Sequence, residues 1–111
     1  MLVVDDNRDA ADTLAQVVEM FGHTTEVTYD GSTAISKARA SAPDVVLCDL
    51  GLPDMSGYEV AAAIRAGPGN VRLIAVSGYA QPEDIARAAS AGFDAHLAKP
   101  VEPEMLRRLL S

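Results

Sequence analysis

Val45-Val46-Leu47-Cys48-Asp49 is an apolar run that ends on a carboxylate. Four apolar residues are too few for a helix, and the paired valines favour an extended chain. Because the run is continuously apolar and does not alternate, both of its faces must be covered, as in an inner strand of a parallel sheet flanked by helices. Leu2-Val3-Val4 and Leu73-Ile74-Ala75-Val76 read the same way. Thr24 to Thr28 and Ala95 to Ala98 are also strand-like, but they carry polar residues that an inner strand would leave unsatisfied, which assigns them to the sheet edges.

Helical spacing fills the intervals. Asn7 is an N-cap for a helix with Ala11, Leu14, Val18 and Phe21 on its inner face, stopped by Gly22. A second helix, with Ile35 and Ala38, follows the Asp30-Gly31 turn. Ser56 and Glu59 form a capping-box pattern at the head of a third, which buries Val60 and Ile64 and ends at Gly67-Pro68-Gly69. The fourth is expected from Pro82 to Ala91, with Ile85 and Ala88 or Ala89 inward and Gly92 as its stop. The fifth starts near Pro103 and carries Leu106, Leu109 and Leu110.

Five strands alternating with five helices define an α/β domain with a doubly wound parallel sheet, since right-handed crossovers keep the strands parallel. With strands 2 and 5 at the edges, the expected arrangement is a flavodoxin-like (βα)5 fold of strand order 2-1-3-4-5. Its topological switch point lies between strands 1 and 3, and the functional crevice of such sheets lies at the carboxyl ends of the strands there.

The whole chain supports this reading. At 111 residues it suits one domain, residues 1 to 111, and its 49% hydrophobic content excludes intrinsic disorder. Sixteen acidic against nine basic side chains give a formal charge of −7, which argues against general nucleic-acid binding and against contact with an anionic membrane. A single cysteine and the lack of a signal-like N-terminus lead to the expectation of a cytoplasmic domain.

The expected strand ends carry Asp5-Asp6, Asp49, Ser77 and Lys99-Pro100. Three carboxylates at adjacent strand ends repel one another, which either raises the pKa of at least one or calls for a cation. The absence of Cys and His ligands there favours Mg²⁺, with Mn²⁺ as the other candidate, over zinc. Lys99 supplies a point charge and Ser77 a hydroxyl for phosphoryl oxygens. Asp49, alone at the central strand, is the choice for a nucleophile that would become an acyl phosphate, while Asp5 and Asp6 are better placed to hold the ion. Taken singly, each of these has a plain structural reading: Asp5 and Asp6 as turn and capping residues, Asp49 at a strand end, Ser77 before Gly78 in a turn, Lys99 as a solvated rim residue. Their joint placement at the switch point is what favours chemistry. Cys48, by strand alternation, points into a helix layer as a small hydrophobe.

In Val3-Val4-Asp5-Asp6-Asn7, Asp49-Leu50-Gly51-Leu52-Pro53-Asp54-Met55-Ser56-Gly57-Tyr58-Glu59, Val76-Ser77-Gly78-Tyr79 and Ala98-Lys99-Pro100, the sequence resembles the receiver domain of two-component response regulators along nearly its whole length. The resemblance implies a phosphorelay switch that takes a phosphoryl group on Asp49 from the phosphohistidine of a histidine kinase or phosphotransfer protein. It implies Asp5 and Asp6 as the metal-binding pair, Asp49 and the Gly51 carbonyl as further Mg²⁺ ligands, Ser77 as the switch hydroxyl, Lys99 as the phosphoryl contact and a cis Lys99-Pro100 bond. Phosphorylation is expected to change affinity for an effector through the face of helix 4, strand 5 and helix 5, with self-catalysed phosphotransfer and slow autodephosphorylation but no turnover of a free substrate.

The sequence departs from the family at His96, where Tyr or Phe is usual three residues before the lysine. Its start at the first strand and its short last helix suggest a domain cut from a longer protein, and Ala91 to Pro100 looks most like receivers attached to hybrid sensor histidine kinases. The alternative from another class is an Asp-nucleophile phosphatase acting on a small phosphate ester. Phosphatases of the haloacid dehalogenase type place a second Asp two residues after the nucleophile, where this chain has Gly51. A flavin or nucleotide carrier would need a glycine-rich loop after strand 1, where Asp6-Asn7-Arg8 stands.

Overall fold

The computed structural model describes residues 1–67, 69–78 and 81–110. Among the described residues ten elements alternate: β1 (Leu2–Val4), α1 (Arg8–Met20), β2 (Glu26–Thr28), α2 (Gly31–Ser41), β3 (Val45–Asp49), α3 (Gly57–Ala66), β4 (Arg72–Ser77), α4 (Pro82–Ala91), β5 (Ala95–Ala98) and α5 (Pro103–Leu110). All strand pairings are parallel, and the order is β2-β1-β3-β4-β5, as the polar edge strands imply.

Strand alternation divides the core into two layers. Leu2, Val4, Val46, Cys48, Leu73 and Ala75 face the layer that includes Ala34 of α2, Val60 of α3 and Ala88 of α4. Val3, Leu47, Ile74, Val76 and Leu97 face the other, with Ala11, Ala15 and Val18 of α1 and Leu106 of α5. The inner strands are thus buried on both faces, which accounts for their continuous apolarity.

The helix starts follow from local chemistry. The side chain of Asn7 accepts a hydrogen bond from the Ala10 N–H, Asp30 accepts from Thr33 N–H and Ser56 accepts from Glu59 N–H, so each satisfies an orphan donor of its first turn. Gly92 stops α4 with φ +114°, a left-handed conformation that suits glycine. The strand expected over Thr24 to Thr28 forms only over Glu26–Thr28.

One core expectation fails. Ile85 is 46% exposed, and Ala88 alone among the α4 residues is fully buried. The helix lies over the edge of the sheet, where β5 has only four residues, and a single small side chain makes the close contact. Pro68 and Tyr79, expected in the third helix stop and the β4 motif, lie outside the described residues.

Candidate functional site at the carboxyl ends of the strands

Register brings the site together. Val4 pairs with Cys48, Asp49 with Val76, and Ser77 with Ala98. Asp5 and Lys99 each begin the loop directly after their strands, so the rim of the sheet carries Asp5, Asp49, Ser77 and Lys99 side by side. By alternation Asp5, Asp49 and Lys99 belong to the face of Val3, Leu47 and Leu97, whereas Ser77 belongs to the face of Leu73 and Ala75.

Asp5 is buried and doubly held. Its Oδ1 accepts from Asn7 N–H at 3.0 Å, its Oδ2 accepts from Lys99 Nζ at 3.0 Å, and its own N–H donates to the Thr28 carbonyl at 3.2 Å. Asp49, partly buried, accepts from Gly51 N–H on Oδ1 at 3.2 Å and from Lys99 Nζ on Oδ2 at 3.2 Å. Asp6 is exposed, yet one oxygen each of Asp5, Asp6 and Asp49 lie within 4.8 Å of one another. The Lys99-Pro100 bond is cis.

Burial pushes the Asp49 carboxyl above its ordinary range and the neighbouring charge of Asp5 adds to this, against the Gly51 hydrogen bond and the Lys99 ammonium, which pull it down. Burial alone would lower Lys99, but hydrogen bonds and charge from Asp5 and Asp49 leave it raised, as expected for a lysine held between two carboxylates. Cys48 next door is pushed up to about 12, first by burial, and is an inert thiol.

The residues present fit a hard divalent cation. The donors are all oxygens, and three carboxylates against one ammonium leave an excess of two negative charges when all are ionised. Gly51 lies on the loop after β3, which is pinned by a bridge between Gly51 and Ser56 and by the Gly57 N–H donating to the Leu50 carbonyl at 2.9 Å.

Ser77 is buried, and its carbonyl accepts from Lys99 N–H at 2.8 Å. Its hydroxyl lies 2.9 Å from Nε2 of His96. The two side chains share the α4 face of the sheet, a pairing that the sequence conceals until the β4–β5 register is known. A second contact invisible in the sequence is Asp54, whose carboxylate accepts from Gly31 N–H at 2.8 Å and Ser32 N–H at 2.9 Å, clamping the β3–α3 loop to the start of α2. Its signal, an acid between Pro53 and Met55, is indistinguishable from an ordinary turn residue. Tyr58, near Asp49 in sequence, packs beneath the Arg87 guanidinium at 4.1 Å.

The chain belongs to the response regulator receiver domain family, which matches over residues 1–111. It is therefore the receiver domain of a two-component response regulator. The DNA-binding response regulator MtrA of Mycolicibacterium smegmatis is 36% identical over 106 residues, which are 96% of this chain and 46% of that protein. The chain thus spans about half the length of that relative. A CheY-like receiver domain from Methanospirillum hungatei is 33% identical, with a TM-score of 0.89 over 98% of this chain and 87% of that one. A response regulator from Burkholderia pseudomallei, solved with a phosphorylated aspartic acid, a calcium ion and citrate, is 30% identical, with a TM-score of 0.91 over 99% of this chain and 65% of that one. Among the described residues no helix is long and apolar enough to cross a membrane.

Proposed function

We propose that the domain is a phosphorelay switch in which Asp49 accepts a phosphoryl group from the phosphohistidine of a histidine kinase or phosphotransfer protein. The observation that carries this reading is the placement of Lys99 Nζ 3.2 Å from Asp49 Oδ2, on the rim that also gathers Asp5 and Asp6. The phosphorylated aspartic acid of the Burkholderia relative gives the same reading independent support.

In the transfer an Asp49 carboxylate oxygen attacks phosphorus, the bond between phosphorus and the donor imidazole nitrogen breaks, and that nitrogen takes up a proton from solvent. Asp49 must be ionised to attack, and Lys99 offsets part of the cost of burying that charge. Once the carboxylate is phosphorylated, the Lys99 ammonium turns to a phosphoryl oxygen, and the Ser77 hydroxyl donates to another. Asp5 and Asp6, with the Gly51 carbonyl, would hold Mg²⁺ or Mn²⁺, which when bound neutralises phosphoryl charge. A cleft of about 650 Å³ beside Lys99, walled by Leu14 and Val17 of α1 and by Pro100 and Val101, gives an apolar seat from which a donor can approach the site. Hydrolysis of the acyl phosphate resets the domain, without turnover of a free substrate. The position two residues after Asp49, where a phosphatase of the haloacid dehalogenase type places a second Asp, is Gly51. The output runs through α4, β5 and α5 to an effector, because Ser77 and Lys99 head the connections into α4 and α5.

Incubation with a small phosphodonor and Mg²⁺, read by intact mass, should add one phosphoryl group to the wild type and none to Asp49→Asn, whose amide is nearly isosteric but is not a carboxylate nucleophile. An adduct of equal yield on the variant would contradict the reading.

A further inference from the structure

Ser77 makes a side-chain contact with His96 at the edge of the sheet, and His96 has no part in the transfer chemistry. The hydroxyl of Ser77 lies 2.9 Å from His96 Nε2, while the backbone of Ser77 is separately tied to Lys99 through its carbonyl. The hydroxyl can change partner by rotating about its own side chain, between staggered positions. The pair lies on the α4 face, and Asp49 and Lys99 belong to the opposite one. A hydroxyl turned toward the Asp49 side therefore turns away from the imidazole.

We infer that His96 is a positioning residue that holds the Ser77 hydroxyl in its resting place, so that engagement of a phosphoryl group on Asp49 requires Ser77 to exchange the imidazole for a phosphoryl oxygen. This rests on the reading of Asp49 as phosphoacceptor and adds the group that opposes it. A serine hydroxyl has one proton to donate, and in the tautomer where Nε2 is the acceptor that proton is committed to His96. The pair raises the free energy of activation-like states by the worth of one neutral hydrogen bond, and it also joins β5 to the switch: once Ser77 leaves, the half-buried imidazole must find another partner or move. A phenylalanine at this position would fill space but make no such bond, so the control here is by hydrogen-bond exchange.

Titration of the full domain with beryllium fluoride in Mg²⁺, an acyl-phosphate mimic, tests the inference through a double-mutant cycle. His96→Phe and His96→Leu each remove the bond and should tighten the mimic about 3- to 10-fold, the worth of one net hydrogen bond. His96→Gln, which can still meet the hydroxyl, should stay within about twofold of wild type by the same measure. In the Ser77→Ala background the His96 substitutions should have no effect. Unchanged or weaker affinity in both His96→Phe and His96→Leu, or an equal gain with and without the Ser77 hydroxyl, would overturn the role of His96. A wild-type domain that does not take up the mimic would instead overturn the phosphoacceptor reading, and with it the exchange.

Discussion

Lys99 Nζ lies 3.2 Å from Asp49 Oδ2 although the two residues are 50 positions apart, and the same ammonium reaches Asp5 at 3.0 Å. One lysine thus serves as counter-ion to two carboxylates that would otherwise face each other across neighbouring strands. Lys99→Met should therefore destabilise the domain. The side chain is 31% exposed, so the cost should be about 1–2 kcal/mol, between the small worth of surface pairs and the roughly 3–5 kcal/mol of buried ones. Denaturant melts check this, and the loss should shrink when Asp49→Asn is already present, because the two residues are coupled.

The pH dependence has a definite sign. Burial raises the Asp49 carboxyl above the ordinary 3.8, so between that value and its folded one the native state holds a proton that the unfolded chain has released. Stability from this group is present at lower pH and is lost as pH rises through that window. Asp54 behaves oppositely. Hydrogen bonds from Gly31 and then Ser32 lower it, so its contribution is present above 3.8 and is lost as pH falls through its folded value. The stability difference between Asp49→Asn and wild type should grow in favour of the variant as pH rises from about 4 toward neutrality. A flat difference measured by urea melts across that range would show that Asp49 is not strained by burial.

Mg²⁺ should raise the melting temperature, since the acidic cluster exists only in the folded state. At a free concentration 100 times the dissociation constant the gain is about 2.7 kcal/mol. Asp5→Ala and Asp6→Ala should each shrink the shift, and both should slow phosphorylation. A full Mg²⁺ shift in both variants would place the ion elsewhere.

Gly57 carries a packing constraint. A Cβ there would stand 2.5 Å from the Asp49 carbonyl oxygen and 2.7 Å from Leu50 Cα, both backbone atoms that cannot swing aside. Gly57→Ala should cost roughly 1–3 kcal/mol, as overpacking does, and should slow phosphorylation by displacing the end of β3. Thermal melts and initial phosphorylation rates measured together check both effects.

The inner strands were legible because a strand covered on both faces has a simple signature, and Val46, Leu47, Leu73 and Ile74 are indeed fully buried. The carboxylates of the rim followed from the same reasoning, since an aspartate at the end of a buried strand has nowhere else to be. Ile85 was misread because helical spacing reports which residues share a face but not whether the sheet extends beneath it. The Asp54 clamp on Gly31 spans 23 residues, and the Ser77–His96 pair depends on the β4–β5 register; neither leaves a local pattern. Contacts of this kind arise from tertiary geometry that periodicity does not encode.

The central claim is that Asp49 is the acceptor, and reductive trapping tests it most directly. Borohydride reduces an acyl phosphate to an alcohol but leaves a free carboxylate and the phosphate esters of hydroxyl groups intact. After phosphorylation with a small donor and Mg²⁺, reduction and peptide mapping should find the reduced side chain at position 49 alone. Reduction at Asp5 or Asp6, or phosphate retained on Ser77 or His96 with position 49 unmodified, would contradict the account.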